Sequence, residues 1–267
     1  MRVGFVGLGG IGTQMVKRAL AAGHQVTVYA RGAGLTDVVE TGAAKSGNYA
    51  ELAAASETLV LCVYNDDQLS DVLLAEGALA AMTPGSTVVL HTTGSPELAR
   101  ELGAEAPAGV RVIDACFSGG PDDTAAGKLT LMIGGDEAAI EAVTPLLSSY
   151  AVSIHRAGPL GSGQEMKLLN NLLFAANLRN AVEILRVAGE QGFESWTVAR
   201  ILRQCSGDSF ALCLFEREVP MAAMLRGIRP YMEKDVATAL TMASASGIDV
   251  EAFAETAAYF GPPAYPA

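Results

Sequence analysis

Two polar side chains in an otherwise apolar stretch could carry a proton transfer. Lys167 and Asn171 are four residues apart within 164–190, where the leucine spacing predicts one long helix. Residues four apart share one face of a helix, and lysine and asparagine avoid burial unless they are paired or useful. Lys167 could protonate a developing alkoxide or, with a pKa lowered by burial, accept a hydroxyl proton. Asn171 could orient either the lysine or the substrate oxygen. The segment alone is equally compatible with a solvated lysine in a first helical turn.

A glycine pattern near the amino end could hold a dinucleotide. It follows a predicted strand over 3–6, opens a predicted helix, and precedes a second strand over 25–29. In such a unit the first glycine allows a tight turn, the second lets backbone approach a pyrophosphate, and the third lets helix and strand pack closely. Unpaired N–H groups at the helix start then face the phosphates. The residues of this glycine loop are Gly7, Leu8, Gly9, Gly10, Ile11 and Gly12.

The end of the second strand indicates which dinucleotide binds. Units that bind NAD usually place a carboxylate here for the ribose hydroxyls, but this chain has Ala30, followed by Arg31. The Arg31 guanidinium could hold a 2′-phosphate with parallel hydrogen bonds. NADP(H) is therefore favoured over NAD(H); the alternative is a solvated Arg31 and NAD bound without an acidic partner.

The elements that position these residues fall into two groups. In the first group, strands alternate with helices, which predicts a parallel sheet with helices on both faces. After residue 163 no strand is predicted and the segments are helical. The fold class is α/β: an N-terminal Rossmann-type doubly wound parallel sheet (1–162) followed by an all-α C-terminal domain (163–267). The predicted strands are 3–6, 25–29, 59–63, 87–91, 111–114 and 130–134; the predicted helices are 12–22, 67–74, 96–102, 164–190, 196–204, 220–224, 232–246 and 250–258.

Composition restricts the class of protein. The chain has 267 residues, 50% hydrophobic and 18% charged, with a net charge of −11. That charge argues against nucleic acid or an anionic membrane as a partner. The four cysteines and three histidines show no metal-ligand spacing, so no metal is expected and all seven are interpreted as structural. Neither a signal peptide nor a membrane span is recognised, so a cytoplasmic location is expected.

Four motifs together carry a family resemblance. They are the glycine loop with the following Gly-His-x-Val (23–26), Asp-Ala-Cys-Phe-Ser-Gly-Gly (114–120), Gly-x-Gly-x-x-x-Lys-x-x-Asn-Asn (161–171) and Lys-Asp-Val (234–236). Over residues 1 to about 245 the chain resembles the β-hydroxyacid dehydrogenases, which include 3-hydroxyisobutyrate dehydrogenase and the tartronate, glyoxylate and succinic semialdehyde reductases. The second and third motifs, in this order and at this distance, are the specific ones.

The resemblance implies a hydride transfer between NADP(H) and a small 3-hydroxy acid, semialdehyde or 2-oxo acid. It makes Lys167 the acid/base with Asn171 beside it. It assigns the substrate carboxylate to the turn Ser118, Gly119 and Gly120, whose backbone N–H groups could form an anion-binding nest. It places Val63, Tyr64 and Thr93 along the dinucleotide, and Lys234 close to cofactor or substrate.

Two departures from the family pattern affect the substrate. The usual Pro-Val before Ser-Gly-Gly is Cys116-Phe117, and the usual small loop after it is Pro121-Asp122-Asp123. The last segment, 261–267, is also atypical for a family in which that region helps close the site.

Three other functions compete with this interpretation. Imine reductases on a similar scaffold usually lack the lysine, phosphogluconate dehydrogenase has a much longer helical domain, and an inactive dinucleotide-binding protein would not need Lys167, Asn171 and the Ser-Gly-Gly turn together. The apolar surface of the 164–190 helix predicts burial on several sides and a homodimer or higher homo-oligomer.

Overall fold

The computed structural model describes residues 1–30 and 34–260. It divides into two compact units, Met1–Lys167 and Leu168–Ala267, and the division falls inside a helix. The predicted domain boundary between 162 and 163 lies slightly earlier and stays a prediction.

The first unit is built on an eight-stranded sheet in the order β3-β2-β1-β4-β5-β6-β7-β8. All neighbouring strands pair in parallel except β6 and β7, which are antiparallel. The predicted doubly wound parallel sheet is therefore confirmed, with an antiparallel pair formed by β6 and β7. The connection 119–128 is too short for a crossover, which takes a dozen or more residues, so the chain re-enters the sheet from the end at which it left. The strands are β1 (Arg2–Val6), β2 (Gln25–Tyr29), β3 (Ala44–Lys45), β4 (Thr58–Leu61), β5 (Thr87–Leu90), β6 (Arg111–Ser118), β7 (Leu129–Gly134) and β8 (Ala151–Gly158).

Helices of the first unit pack on the sheet, and separate apolar clusters form around it. They are α1 (Gly10–Ala21), α2 (Gly34–Glu40), α3 (Tyr49–Ala54), α4 (Asp66–Ser70) with a π-helical turn (Asp71–Ala75), α5 (Pro96–Glu105), α6 (Pro121–Ala125) and α7 (Glu137–Leu147). The sequence analysis missed α2, α3, α6, α7, β3 and β8. Most of these are short, α7 contains Pro145, and β8 is an edge strand whose residues alternate poorly between apolar and polar.

The second unit is helical throughout its described residues, as predicted. Its helices are α8 (Ser162–Glu190, which begins in the first unit), α9 (Ser195–Leu202), α10 (Phe210–Cys213), α11 (Met221–Ala245) and, after a 3₁₀ turn (Glu251–Phe253), α12 (Ala254–Phe260). The separate helices predicted over 220–224 and 232–246 are wrong, because α11 is continuous and contains Pro230. Proline removes one backbone hydrogen bond, a loss that the apolar packing of a long helix can offset.

Helix α8 buries one stripe of its surface within the chain. The stripe runs at helical spacing through Leu168, Leu172, Ala175, Leu178, Ala181 and Leu185. Leu169 and Leu173, on another side, are 54% and 58% exposed, so burial on several sides is not reached within a single chain. Across the described residues, no helix combines the length and the apolar character that crossing a bilayer requires.

Candidate active site

The sequence-predicted residues of the first unit lie at one edge of the sheet. Strands β1, β4, β5 and β6 are consecutive neighbours and parallel, so their carboxyl ends share that edge. The order of strands reverses between β1 and β4, where ligands of such sheets bind. The glycine loop follows β1; Val63 and Tyr64 follow β4; Thr93 follows β5; Ser118, Gly119 and Gly120 end β6 and begin the next turn. Arg31 lies outside the described residues.

The glycine loop has the shape of a phosphate cradle. Gly7 has a φ of +98°, and a Cβ on it would lie 2.1 Å from the Cys62 carbonyl oxygen. A Cβ on Gly12 would lie 1.9 Å from the Gly7 oxygen, whereas one on Gly9 would meet no atom within 4 Å. Helix α1 starts at Gly10 with no acidic residue in its first turn. The first N–H groups of a helix have no partner within it, and those of α1, with the positive end of the helix dipole, lie beside the open space at Gly9, which fits a pyrophosphate.

A cleft of about 490 Å³ opens beside this loop. In it Tyr29 stands edge-on to Tyr49, with ring centroids 4.5 Å apart. Ala30 lines the cleft where a dinucleotide site for NAD usually offers a carboxylate, so this position provides no acceptor for ribose hydroxyls. The lining residues are Val6, Gly7, Leu8, Tyr29, Ala30, Tyr49, Val63, Gln68, Asp71 and Val72.

Side-chain hydrogen bonds, from the loop itself and from other elements, hold the loop after β5, residues 92–95. The Thr92 hydroxyl accepts from the Val63 N–H at 3.0 Å. Gln164 donates to the Thr92 carbonyl oxygen at 2.8 Å and accepts from the Gly94 N–H at 2.9 Å. The Ser95 N–H donates to Asp66 at 2.9 Å. The backbone on both sides of Thr93 is thereby fixed at the edge where the dinucleotide is expected.

Asp114 fixes the start of helix α8. Its fully buried carboxylate accepts from the Gly161 N–H at 2.8 Å and from the Gln164 N–H at 2.6 Å. Burial raises the pKa of Asp114, and these backbone donors oppose the shift. Lys167, half-buried, follows Gln164 by three residues, so it lies about one turn beyond this anchored start.

The turn expected to bind a substrate carboxylate is already bonded to a carboxylate of the protein, that of Asp123. Gly119 has a φ of +130°, which favours glycine. The Gly120 N–H donates to the Asp123 carboxylate at 2.8 Å, and Asp123 is half-buried. One N–H of the predicted nest is thus occupied by a residue at which the chain departs from the pattern of the family that it resembles.

The remaining predicted residues meet in the second unit. The Asn171 side-chain amide donates to Asp235 at 2.5 Å, and the Lys234 ammonium donates to the other oxygen of the same carboxylate at 2.6 Å. Asp235 is 5% exposed. Two side chains predicted on separate grounds are therefore joined through one buried carboxylate.

Among the residues of these networks to which the sequence analysis gave no role are Asp114, Gln164 and Asp235. All three lie inside the quoted motifs. The available signal was an acid or an amide at a position expected to be buried, within or next to a motif. What could not be read from the sequence was the partner, since each bonds a residue at least 48 positions away. No group of three or more potential metal ligands occurs within 1–30 and 34–260.

Comparison with known proteins gives matches over both units. A family model described as the NAD binding domain of 6-phosphogluconate dehydrogenase matches residues 2–158. A second, described as NAD-binding of NADP-dependent 3-hydroxyisobutyrate dehydrogenase, matches residues 161–261. The NAD-dependent L-serine dehydrogenase of Pseudomonas aeruginosa is 33% identical over 79% of this chain and 72% of its own.

Solved structures agree with these matches. A 3-hydroxyisobutyrate dehydrogenase from Mycobacterium tuberculosis, with L-serine, superposes with a TM-score of 0.83 and 25% identity, covering 97% of this chain and 92% of that one. An imine reductase from Streptomyces aurantiacus reaches a TM-score of 0.71 at 19% identity, over 97% of this chain and 93% of that one, and shares the fold alone.

Proposed function

Because this chain belongs to the β-hydroxyacid dehydrogenase family and is an NAD(P)-dependent oxidoreductase acting on CH–OH groups, we propose that it moves a hydride between NADP(H) and a small 3-hydroxy acid, its semialdehyde or a 2-oxo acid, with Lys167 as acid/base. The observation that carries the proposal is the anchoring of the helical turn before Lys167 to the loop that contains Thr93. A proton-transfer group and a dinucleotide-facing loop are thus held by one set of hydrogen bonds.

The preference for NADP(H) rests on the end of β2. Ala30 offers no carboxylate to ribose hydroxyls and would not repel a 2′-phosphate, while Arg31 follows it in sequence. The family model over 161–261 is described for an NADP-dependent enzyme, which supports the same choice.

The chemistry divides between cofactor and chain. The nicotinamide, when bound, supplies or accepts the hydride. In reduction the Lys167 ammonium donates a proton to the carbonyl oxygen as negative charge develops there; in oxidation the neutral amine takes the hydroxyl proton. The cradle formed by Gly7, Gly9 and the start of α1 binds the pyrophosphate.

The other predicted residues hold the substrate. Ser118 and the turn after it donate to the substrate carboxylate. Asn171 orients the reacting oxygen, and Asp235 fixes the Asn171 amide by accepting from it. Lys234, held by the same carboxylate, contributes positive charge toward the anionic ligands.

Turnover with a substrate panel tests this function. Reduction of succinic semialdehyde, glyoxylate, tartronate semialdehyde and methylmalonate semialdehyde, and oxidation of 3-hydroxyisobutyrate and L-serine, is followed through reduced-nicotinamide absorbance with both NADP(H) and NAD(H). We expect turnover with at least one acid, faster with NADP(H). Lys167→Ala should lower kcat roughly 100-fold or more with dinucleotide affinity retained.

The exposed Lys128 provides the matched control, since Lys128→Ala removes a lysine of the same unit without touching the site. Equal losses of kcat in both variants would show that Lys167 is not the acid/base. Tight NADPH binding without turnover of any acid would replace the enzyme proposal with a dinucleotide-binding protein.

A further inference from the structure

We propose that Gln164 is a positioning residue: its side-chain amide sets the place of Lys167 relative to the loop 92–95. The inference rests on the hydride transfer proposed above, and it concerns a residue to which none of the four motifs gives a role. The inference follows from the hydrogen bonds that the nitrogen and the oxygen of the Gln164 amide make.

The Gln164 amide bridges two backbone groups of opposite polarity. It is 1% exposed. Its nitrogen donates to the Thr92 oxygen at 2.8 Å and its oxygen accepts from the Gly94 N–H at 2.9 Å, so these bonds also fix which way round the amide lies. The Cys116 thiol adds a third contact, donating to the same oxygen at 3.0 Å.

Only an amide of this length satisfies both backbone groups. An apolar side chain of similar size would leave a buried carbonyl and a buried N–H without their partners, and an ionised carboxylate would repel the Thr92 oxygen. The loop would then relax or take up water, and Thr93 between the two bonded residues would move with it.

The other side of Gln164 is locked as well. Its own N–H bonds to Asp114 at 2.6 Å. A Cβ on the preceding Gly163 would lie 2.7 Å from Asp114 and 2.5 Å from the Met132 carbonyl oxygen, so the helix start lies against β6 and β7 with no room for a side chain. Backbone and side chain of one residue therefore tie α8 to both β6 and the loop after β5.

The consequence is geometric. Lys167 lies three residues beyond Gln164 on the same helix, so a shift of that turn moves its ammonium directly. A misplacement of about 1 Å between reacting groups costs roughly 100-fold in rate. The amide thereby acts on the reaction through Lys167 and Thr93 without touching the substrate.

Single-turnover kinetics of Gln164→Met test this assignment. Methionine is unbranched and adaptable, so it fills the space without the hydrogen bonds. Enzyme, NADPH and the best acid of the panel are mixed at saturation, and the rate and amplitude of nicotinamide oxidation are recorded, with deuterated NADPH to identify hydride transfer. We expect the rate to fall about 10- to 100-fold, with NADPH affinity and substrate KM changed less than about threefold and amplitude retained.

Tyr150→Phe is the matched control, because it removes another buried hydrogen bond of the first unit, that to His91. Its hydride-transfer rate should equal that of the wild type.

A loss of amplitude at unchanged rate in Gln164→Met would mean that Gln164 serves folding only and would overturn the inference. If that variant does not fold, Gln164→Glu, which keeps the length of the side chain but when ionised cannot donate to the Thr92 oxygen, must show the rate loss instead. A wild type without turnover would defeat the proposed function, and the inference with it.

Discussion

At the scale of single residues, the structure differs most from family expectation at Asp123. The usual small loop is replaced by Pro121-Asp122-Asp123, and the third of these residues accepts the Gly120 N–H. A carboxylate at this position competes with a substrate carboxylate for the same donor and repels it. We therefore expect this side chain to weaken the binding of acids at the turn proposed to hold them.

Removing the Asp123 carboxylate should tighten the binding of acids. In Asp123→Ala we expect KM for carboxylate substrates to fall about tenfold, the size of one hydrogen bond to a charged group, with kcat little changed. Steady-state kinetics of the variant measure this, and Asp122→Ala, which removes an exposed neighbouring charge, should leave KM close to the wild-type value. A rise in KM would show that Asp123 supports the turn rather than competing with the substrate.

Asp235 is the residue-scale counterpart in the second unit. By accepting from both Asn171 and Lys234, it makes the proposed roles of these two side chains dependent on one buried charge. Such a pair loses its geometry when the shared acceptor is removed, because both donors must then find other partners.

At the scale of elements, the glycines of the glycine loop lack a side chain for two different reasons. Gly12 is required by the fold, since a Cβ there would meet the Gly7 oxygen, whereas Gly9 faces open space with an ordinary φ of −74°. A side chain on Gly9 would therefore clash only with a bound ligand.

Gly9→Ala should therefore separate binding from stability. We expect NADPH affinity to fall at least about tenfold, equivalent to about 1.4 kcal/mol, while the free energy of unfolding changes by less than about 0.5 kcal/mol. Titration of nicotinamide fluorescence and urea unfolding give the two quantities. Gly227→Ala, the same change on the exposed part of α11, is the control and should leave affinity unaltered. Unchanged NADPH affinity in Gly9→Ala would place the pyrophosphate elsewhere.

Strand β6 and helix α8 show how elements position chemistry. The predicted strand over 111–114 is four residues too short, and the extension to Ser118 pairs with β7. That extension carries Cys116 to the Gln164 amide and sets the Ser118 turn beyond the ends of β4 and β5. Helix α8 then begins against Asp114, the register partner of the last residue of β5.

At the scale of the whole molecule, one buried histidine makes stability depend on pH. His91 is fully buried; its Nδ1 bonds the Ala115 oxygen and its Nε2 lies 3.0 Å from the Tyr150 hydroxyl. Burial lowers the pKa of His91 to about 4 from 6.5. The folded chain keeps this ring neutral while the unfolded chain protonates it below pH 6.5, so stability is present above that pH and is lost as pH falls toward about 4.

Urea unfolding at two pH values measures this contribution. From pH 7.5 to pH 5, the His91 contribution should lower the free energy of unfolding by about 2 kcal/mol, at about 1.4 kcal/mol for each pH unit below the unfolded pKa. Asp114, whose pKa is raised, acts in the opposite sense, so the comparison is between wild type and His91→Gln. The variant should lose most of this difference; an equal pH slope in both proteins would assign it to other groups.

The oligomeric state remains a prediction at this scale. Leu169 and Leu173 on α8 are exposed in the single chain, which is consistent with a homo-oligomer that covers them. The expectation that neither nucleic acid nor an anionic membrane is a partner rests on the net charge of −11 and stays a prediction.

The sequence by itself determined those features that depend on local spacing. The Gly-x-Gly-x-x-Gly loop between strand and helix, the alternation of strands and helices before residue 160 and the helical remainder are patterns of neighbouring residues, and they predicted the fold class. The family was predicted from the resemblance that the four motifs carry. Motif order predicted which residues to examine, including Lys167, Asn171 and the Ser118 turn.

Only the tertiary structure decided which groups those residues meet. The antiparallel entry of β7, the Asp123 bond within the expected carboxylate site, and the bonds of Gln164 and Asp114 across 47 to 72 positions depend on chain segments brought together by packing. A hydrogen bond of this kind leaves no periodic signal, since it joins two residues whose separation in sequence is set by loops and crossovers and not by the geometry of either element.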